Sequence, residues 1–326
     1  MSIVCVSHKE DADGICSGAI IKAAFDPSKI ILVDYSDLIV KLEKVVASSG
    51  KIDQLFVCDL GLSKKNEQKF VQLLETIAST GAEVTYIDHH DISKETAQAL
   101  KKSGVTLVHT TDECTSVQAY SRYKKKLPAH AAFLAAMGAL TDYMETRPLA
   151  LEIIPRFDRQ FLMLEAAALS YMISANQHDD EFLLMTLDTL GKMKYPHDVK
   201  GGFEYAEKYA KSVARAVETI QESIVKLDNV AHAPSTVELS SSMVVNFVLG
   251  ASQKPVAMVY KLKGDIKSYI FSIRGSPECK VHLGRLVNDV ASSLGGSGGG
   301  HDRASGAVIP KDKLEEFIKT LDKKLG

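Results

Sequence analysis

The first 110 residues alternate short β-branched runs with single amphipathic stretches, and that rhythm leaves few folds open. SIVCVSH, IILVDYS, DQLFVCDL, AEVTYID and VTLVH read as buried strands. Between them GICSGAIIKAAF, DLIVKLEKVVASS, KKNEQKFVQLLETIAS and KETAQALKKS place apolar residues at three- and four-residue steps, which predicts helices. Strands separated by single helices are the signature of parallel βαβ units, so the spacing predicts an N-terminal doubly wound, mostly parallel α/β sheet. From Cys114 to about Leu190 the pattern turns all helical, with a polar break at NQHDDE. FEYAEKYAKSVARAVETIQESIVKL then reads as one long connecting helix, which AHAPS ends. The rest reads as a smaller α/β domain. Its strands are TVELSS, PVAMVYKL, SYIFSIR and SGAVIP, its helices VHLGRLVNDVASSL and DKLEEFIKTLDKKL, with a glycine run before the last strand. The expected organisation is a first domain over 1–195, a connecting helix and linker over 196–234 and a second domain over 235–326.

Composition narrows the class. A chain of 326 residues, 45% hydrophobic and 25% charged, can build two ordinary globular cores. No apolar run approaches the length of a membrane span, and MSIVCVSHKED has neither the basic start nor the apolar core of a signal peptide. Five cysteines, odd in number and without a CxxC pair, argue against a disulfide framework or a thiolate zinc site. Together these features predict a cytoplasmic protein with no membrane partner. Net charge is −2, but residues 1–190 hold 19 basic against 26 acidic side chains and residues 191–326 hold 20 against 15. An acidic half beside a mildly basic one suits a metal-binding domain joined to an anion-binding one.

Four acidic or histidine clusters punctuate the first half: His8-Lys-Glu-Asp11-Ala-Asp13, Asp59, Asp88-His89-His90 and Asp142. Three of them directly follow predicted strands, and in an open parallel sheet such positions converge on one crevice. Taken singly, each cluster has a turn or helix-capping explanation. Taken together they would set several like charges side by side, a conflict that divalent cations resolve. Mixed carboxylate and imidazole donors suit Mn²⁺, with Mg²⁺ or Co²⁺ as alternatives.

HKEDADG, VCD, IDHH, GALTD and GGSGGGHDRASG, in this order, resemble the motif series of the DHH phosphoesterase superfamily with its DHHA1 domain. That superfamily includes RecJ-type exonucleases, nano-RNases that also act on phosphoadenosine phosphate, and cyclic-dinucleotide phosphodiesterases. The resemblance implies two metal ions, the first on His8 and Asp11, the second on Asp13, His89 and Asp142, with Asp59 bridging. It implies that Asp88 orients His89 and that His90 faces the scissile phosphate or the attacking water, so Asp59, Asp88 and His90 form the expected catalytic group. It also gives Gly298, Gly299, Gly300, His301 and Arg303 contacts to the substrate. The glycines alone would read as a linker; lying between a helix and a strand of one domain, they read instead as a loop whose bare N–H groups approach an anion. Arg274, ending a predicted strand in SIRG, is a second candidate phosphate clamp.

The expected activity is two-metal hydrolysis of phosphodiester bonds in a short single-stranded oligonucleotide, by a protein for which a homodimer is compatible. Alternatives are a phosphatase for a nucleotide bisphosphate, a cyclic-dinucleotide phosphodiesterase, a pyrophosphatase, and a catalytically silent replication or scaffold protein on the same fold. His109 could contact phosphate or serve structure. His178 with its acidic neighbours reads as a helix start, and His130, His197, His232 and His282 have no supporting neighbours in sequence.

Overall fold

Strand β1 (Ile3–His8) is buried along its whole length and pairs in parallel on both sides. Its residues alternate, with Ile3 and Cys5 entering one hydrophobic cluster and Val4 and Val6 another, so the sheet it belongs to is covered on both faces. This is a computed structural model that describes residues 1–47, 51–235, 239–300 and 302–326. The chain divides into two units, Met1–Tyr209 and Ala210–Gly326.

In the first unit, β1 leads into α1 (Ala12–Phe25), β2 (Lys29–Val33), α2 (Leu38–Ala47), β3 (Gln54–Cys58), α3 (Lys64–Ser79), β4 (Glu83–Asp88), α4 (Lys94–Lys102) and β5 (Thr106–His109). The sheet order is β2-β1-β3-β4-β5, parallel throughout. Because the order reverses around β1, the C-terminal ends of β1 and β3 open onto the crevice where such folds bind ligands. Helices α5 (Thr115–Tyr123), α6 (Ala131–Thr141), α7 (Pro148–Ile153), α8 (Arg159–Ala175) and α9 (Asp180–Gly191) supply the predicted helical region. Helix α6 is buried over most of its length, and α1 is buried from Ala12 to Ile21, which is why neither shows a polar stripe in sequence. Helix α10 (Gly202–Ser223) crosses the division between the units.

The second unit contains β6 (Val225–Lys226), β7 (Val230–Pro234), α11 (Ser241–Ser252), β8 (Val256–Lys263), β9 (Ser268–Gly275), α12 (Leu283–Ser293), β10 (Ser297–Gly300), β11 (Ala304–Pro310) and α13 (Leu314–Leu325). Its sheet runs β10-β11-β9-β8-β7-β6, antiparallel except between β7 and β8. Three expectations change here. AHAPS is not a break but most of β7, where Val230, Ala231, His232 and Ala233 are buried. Helix α11 was not anticipated, because Met243-Val-Val-Asn-Phe-Val-Leu reads equally as a strand; its buried Val244, Val245 and Val248 fit a helical face. The strand expected at TVELSS falls largely on residues 236–238, outside the described residues. No helix among the described residues is long and apolar enough to cross a membrane.

Candidate metal centre

His8 closes β1 and is almost fully buried; its Nε2 lies 3.4 Å from Asp11 Oδ2. Asp11 caps α1, its Oδ1 accepting the Gly14 N–H at 2.9 Å, so one carboxylate oxygen serves the helix and the other faces His8. Asp13, two residues on, is buried and takes two backbone N–H groups from another helix: Thr115 N at 2.8 Å and Ser116 N at 3.0 Å. Asp13 thus caps α5 across 102 residues of sequence, and the α5 dipole favours its charge. Gly138 on α6 makes room for this arrangement. A Cβ there would stand 2.1 Å from Ser116 Oγ and 2.5 Å from Asp13 Oδ1.

Asp59 follows β3 with φ of 60°, a left-handed backbone uncommon outside glycine, and its N–H is held by Ile87 O at 3.0 Å. That kink leaves its carboxylate 1% exposed, with Oδ1 accepting the Thr115 hydroxyl at 2.8 Å and lying 3.5 Å from His89 Nε2. His89 Nε2 also lies 3.4 Å from Oδ2 of Asp142, which stands at the C-terminal end of α6. Ligand atoms of Asp13, His89 and Asp142 all lie within 4.8 Å of one another, and so do those of Asp59, His89 and His90. His8 and Asp11 remain a separate pair.

One expected contact is reversed. Asp88 holds His90, not His89: its Oδ1 lies 2.9 Å from His90 Nδ1 and its Oδ2 accepts the His90 N–H at 3.2 Å. Side chains alternate along an extended chain, so Tyr86, Asp88 and His90 share a side. The Tyr86 hydroxyl donates to Asp88 Oδ2 at 3.0 Å, and His89 is left to face Asp59 and Asp142. On the far side of the His90 ring, the Tyr35 hydroxyl meets Nε2 at 3.1 Å.

Electrostatics then favour a cation. Burial, together with Asp11, Asp13 and Asp88, pushes the Asp59 carboxyl well above the usual carboxylate range. Asp142 is pushed up to about 8 by burial and by Asp13 and Asp11. Burial lowers His89. For His90 burial works the same way, but the hydrogen bond and charge of Asp88 outweigh it and raise the imidazole. Asp142 Oδ2 and His8 Nδ1 are buried without a hydrogen-bond partner. Crowded carboxylates that resist ionisation, a lowered His89 imidazole and orphaned donor atoms fit a divalent cation held by oxygen and nitrogen donors without thiolate.

In the second unit the glycine run is not a loop. Ser297–Gly300 form the edge strand β10, paired with β11 from Ser297↔Val308 to Gly300↔Ser305. The glycines there serve close packing: a Cβ on Gly298 would meet Val287 Cγ1 of α12 at 2.9 Å and one on Gly300 would meet Ala304 O at 2.3 Å, whereas Gly299 faces open space. Arg274 sits across from Ala304, next to Arg303, so both cationic residues come from one end of this sheet with Gly300. An open cavity of about 490 Å³ there is lined by His282, Asp302, Arg303 and Ala304. His282 Nε2 lies 3.0 Å from Asp302 Oδ1. His301 lies outside the described residues.

Sequence reasoning missed Thr115, which joins Asp13 to Asp59, and Tyr35. Thr115 carries no signal beyond an ordinary helix start. Tyr35, in DYS just past β2, stands on the same strand-end rim as the acidic clusters, and that position could have flagged it. His109 is structural, its Nε2 donating to His90 O at 2.6 Å. Asp179, beside His178, caps α9 as the helix-start reading expects. His197 does have a partner, the buried Glu165 at 2.5 Å.

A doubly wound sheet bearing carboxylates and imidazoles at adjacent strand ends, followed by a smaller mixed-sheet unit, is the DHH/DHHA1 phosphoesterase fold. Residues 2–139 match the DHH family, N-terminal domain, and residues 231–326 match the DHHA1 domain; the chain belongs to this superfamily. Over 134 residues, 39% of this chain, it is 33% identical to an uncharacterised protein of Methanocaldococcus jannaschii, spanning 28% of that relative's length. The pGpG-specific phosphodiesterase PggH from Vibrio cholerae superposes with a TM-score of 0.65 at 12% identity, covering 100% of this chain and 99% of that one. RecJ from Thermus thermophilus in complex with Mn²⁺ gives 0.62 at 16% identity, covering 99% of this chain and 52% of that one. At these identities the likeness is one of fold.

Proposed function

We propose that this protein is a phosphoesterase dependent on two divalent ions, Mn²⁺ by preference, that hydrolyses phosphodiester bonds of short single-stranded oligonucleotides. The observation that carries the reading is that His89 lies within coordination reach of two sets of donors at once, Asp13 with Asp142 and Asp59 with His90. Asp13, His89 and Asp142 would hold one ion and His8 with Asp11 the other, with Asp59 shared. Such ions, when bound, lower the pKa of water toward neutrality and offset charge on phosphoryl oxygens. The chain's own groups do the rest. Asp13 is pinned by two N–H groups of α5, Asp59 by Thr115, and His90 by Asp88, so these donors keep their geometry without a ligand to organise them. His90 Nε2, which here meets the Tyr35 hydroxyl, would hold a phosphoryl oxygen or pass a proton to the substrate. Within the second unit, Arg303 lines a cavity of a size suited to a nucleotide, and Arg274 pairs beside it at the same end of the sheet.

Support for a short substrate comes from the PggH fold likeness, since that protein's substrate is a dinucleotide, and support for manganese from the RecJ complex. The test is turnover of purified protein with Mn²⁺ on RNA and DNA of graded length, cyclic dinucleotides, phosphoadenosine phosphate and pyrophosphate. Cleavage fastest on two- to five-residue oligonucleotides supports the proposal. Preference for phosphoadenosine phosphate, cyclic dinucleotide or pyrophosphate would replace the substrate, and inertness toward the whole panel would favour the silent scaffold.

A further inference from the structure

His8 presents an oddity. A ligating histidine normally fixes its ring by donating the second nitrogen to a carboxylate or carbonyl. His8 Nδ1 is buried and has no such partner. What lies against its ring is another ring: Tyr35, with centroids 4.6 Å apart and planes inclined by 35°. The same Tyr35 meets His90 edge-on at 6.1 Å and places its hydroxyl 3.1 Å from His90 Nε2. The Asp88 carboxylate can only accept from Nδ1, which leaves Nε2 as the ring atom that meets the phenol. Tyr35 lies in the turn between β2 and α2, where Asp34 Oδ1 accepts the N–H groups of Ser36 and Asp37 and so ties the turn together.

We propose that Tyr35 is a positioning residue that sets two imidazoles of the metal centre at once, its ring holding His8 and its hydroxyl holding His90 Nε2. The assignment rests on the metal-site reading above. The ring replaces the hydrogen bond that His8 lacks. The hydroxyl completes a chain from Asp88 through His90 to Tyr35, so a phosphoryl oxygen reaches Nε2 only by sharing or displacing the phenol. The two functions sit on different atoms and therefore separate by substitution.

Tyr35→Phe keeps the ring and removes the hydroxyl; Tyr35→Ala removes both. Titration with Mn²⁺ alone, followed by calorimetry or by the free-ion electron paramagnetic resonance signal, should give wild-type affinity for Tyr35→Phe. For Tyr35→Ala it should show roughly tenfold weaker binding of one ion, the size seen when a ligand's supporting partner is lost. In ¹⁵N-histidine spectra of the metal-free protein, Tyr35→Phe should move His90 Nε2 and leave Nδ1 in place, with the signal assigned by its absence in His90→Gln. On a dinucleotide substrate, Tyr35→Phe should lower kcat roughly threefold to tenfold with little change in KM. Equal metal loss in both variants, unchanged Mn²⁺ binding in Tyr35→Ala, or an unmoved Nε2 signal in Tyr35→Phe would overturn the proposal. A wild-type protein inert on every oligonucleotide would instead overturn the substrate reading, while the metal and nitrogen measurements still decide Tyr35.

Discussion

At the scale of single residues, the centre is arranged for charge that the bare protein tolerates poorly. Asp59 is buried among Asp11, Asp13 and Asp88, so its ionised form is unfavourable until a cation arrives. Asp59→Asn keeps the shape and removes the charge; asparagine also accepts the left-handed backbone at this position. Without metal, this variant should melt at a higher temperature than wild type. It should also gain less from added Mn²⁺ and lose roughly a thousandfold or more in turnover. Thermal unfolding with and without Mn²⁺ checks the first two expectations, and near-normal turnover in the folded variant would remove Asp59 from the chemistry. Gly138 offers a steric counterpart, since an added methyl would overlap Ser116 Oγ and Asp13 Oδ1. Gly138→Ala should cost about 1–3 kcal/mol in denaturant unfolding, the usual range for overpacking, and should weaken Mn²⁺ binding as Asp13 shifts. Unchanged affinity would show that Asp13 is not a ligand.

Among the elements, those that announced themselves in sequence did so through period. Strands β1 to β5 stand out because a two-faced parallel sheet makes continuous apolar runs, and their ends mark where His8, Asp59 and Asp88–His90 gather. What stayed hidden was direction and partnership. Whether Asp88 reaches His89 or His90 depends on which side of the extended chain each occupies, and Asp13 capping α5 is a contact made only in space. The glycine run was misread for a related reason: glycine marks close approach as well as freedom, and at Gly298 the approach is to α12. Helix α6 carries a prediction of its own. His130 opens it, stacked on Phe133 and edge-on to Tyr195, with Nε2 buried and unpartnered. Burial lowers its pKa below the ordinary 6.5. The unfolded chain therefore binds a proton there that the folded one resists. The site's contribution to stability is complete above pH 6.5 and declines as pH falls below it. The difference between wild type and His130→Phe in denaturant unfolding should follow that course; a difference independent of pH between 5 and 8 would mean that the ring titrates alike in the native and unfolded states.

For the whole molecule, the charged groups of each unit bear on the proposed substrate. The first unit holds the acidic centre. Among the groups singled out in the second, Arg274 and Arg303 are the cations proposed to meet phosphate, and the protein has no tryptophan and only 7% aromatic residues for base stacking. Contact with about two or three phosphates predicts a slope of log affinity against log salt of only about −1.5 to −2, from roughly −0.7 per phosphate on a single strand. Binding of a catalytically inactive variant to oligonucleotides across a salt series measures it, and a steeper slope with tight binding of long strands would point to an extended groove. The cysteines carry a consequence of another kind. Cys5, Cys16, Cys58 and Cys114 are all sealed in the first unit, whereas Cys279, in the second, is half-buried. Burial also raises the Cys16 and Cys114 thiols, so the folded state suppresses their reactivity twice over. An alkylating reagent should therefore modify Cys279 at once and the other four only when the first unit opens. The sulfur atoms become a clock for opening events, read by mass spectrometry in the intact chain. Since an ion bound at a hundred times its Kd stabilises the closed form by about 2.7 kcal/mol, saturating Mn²⁺ should slow the four late modifications by about a hundredfold while leaving the first untouched.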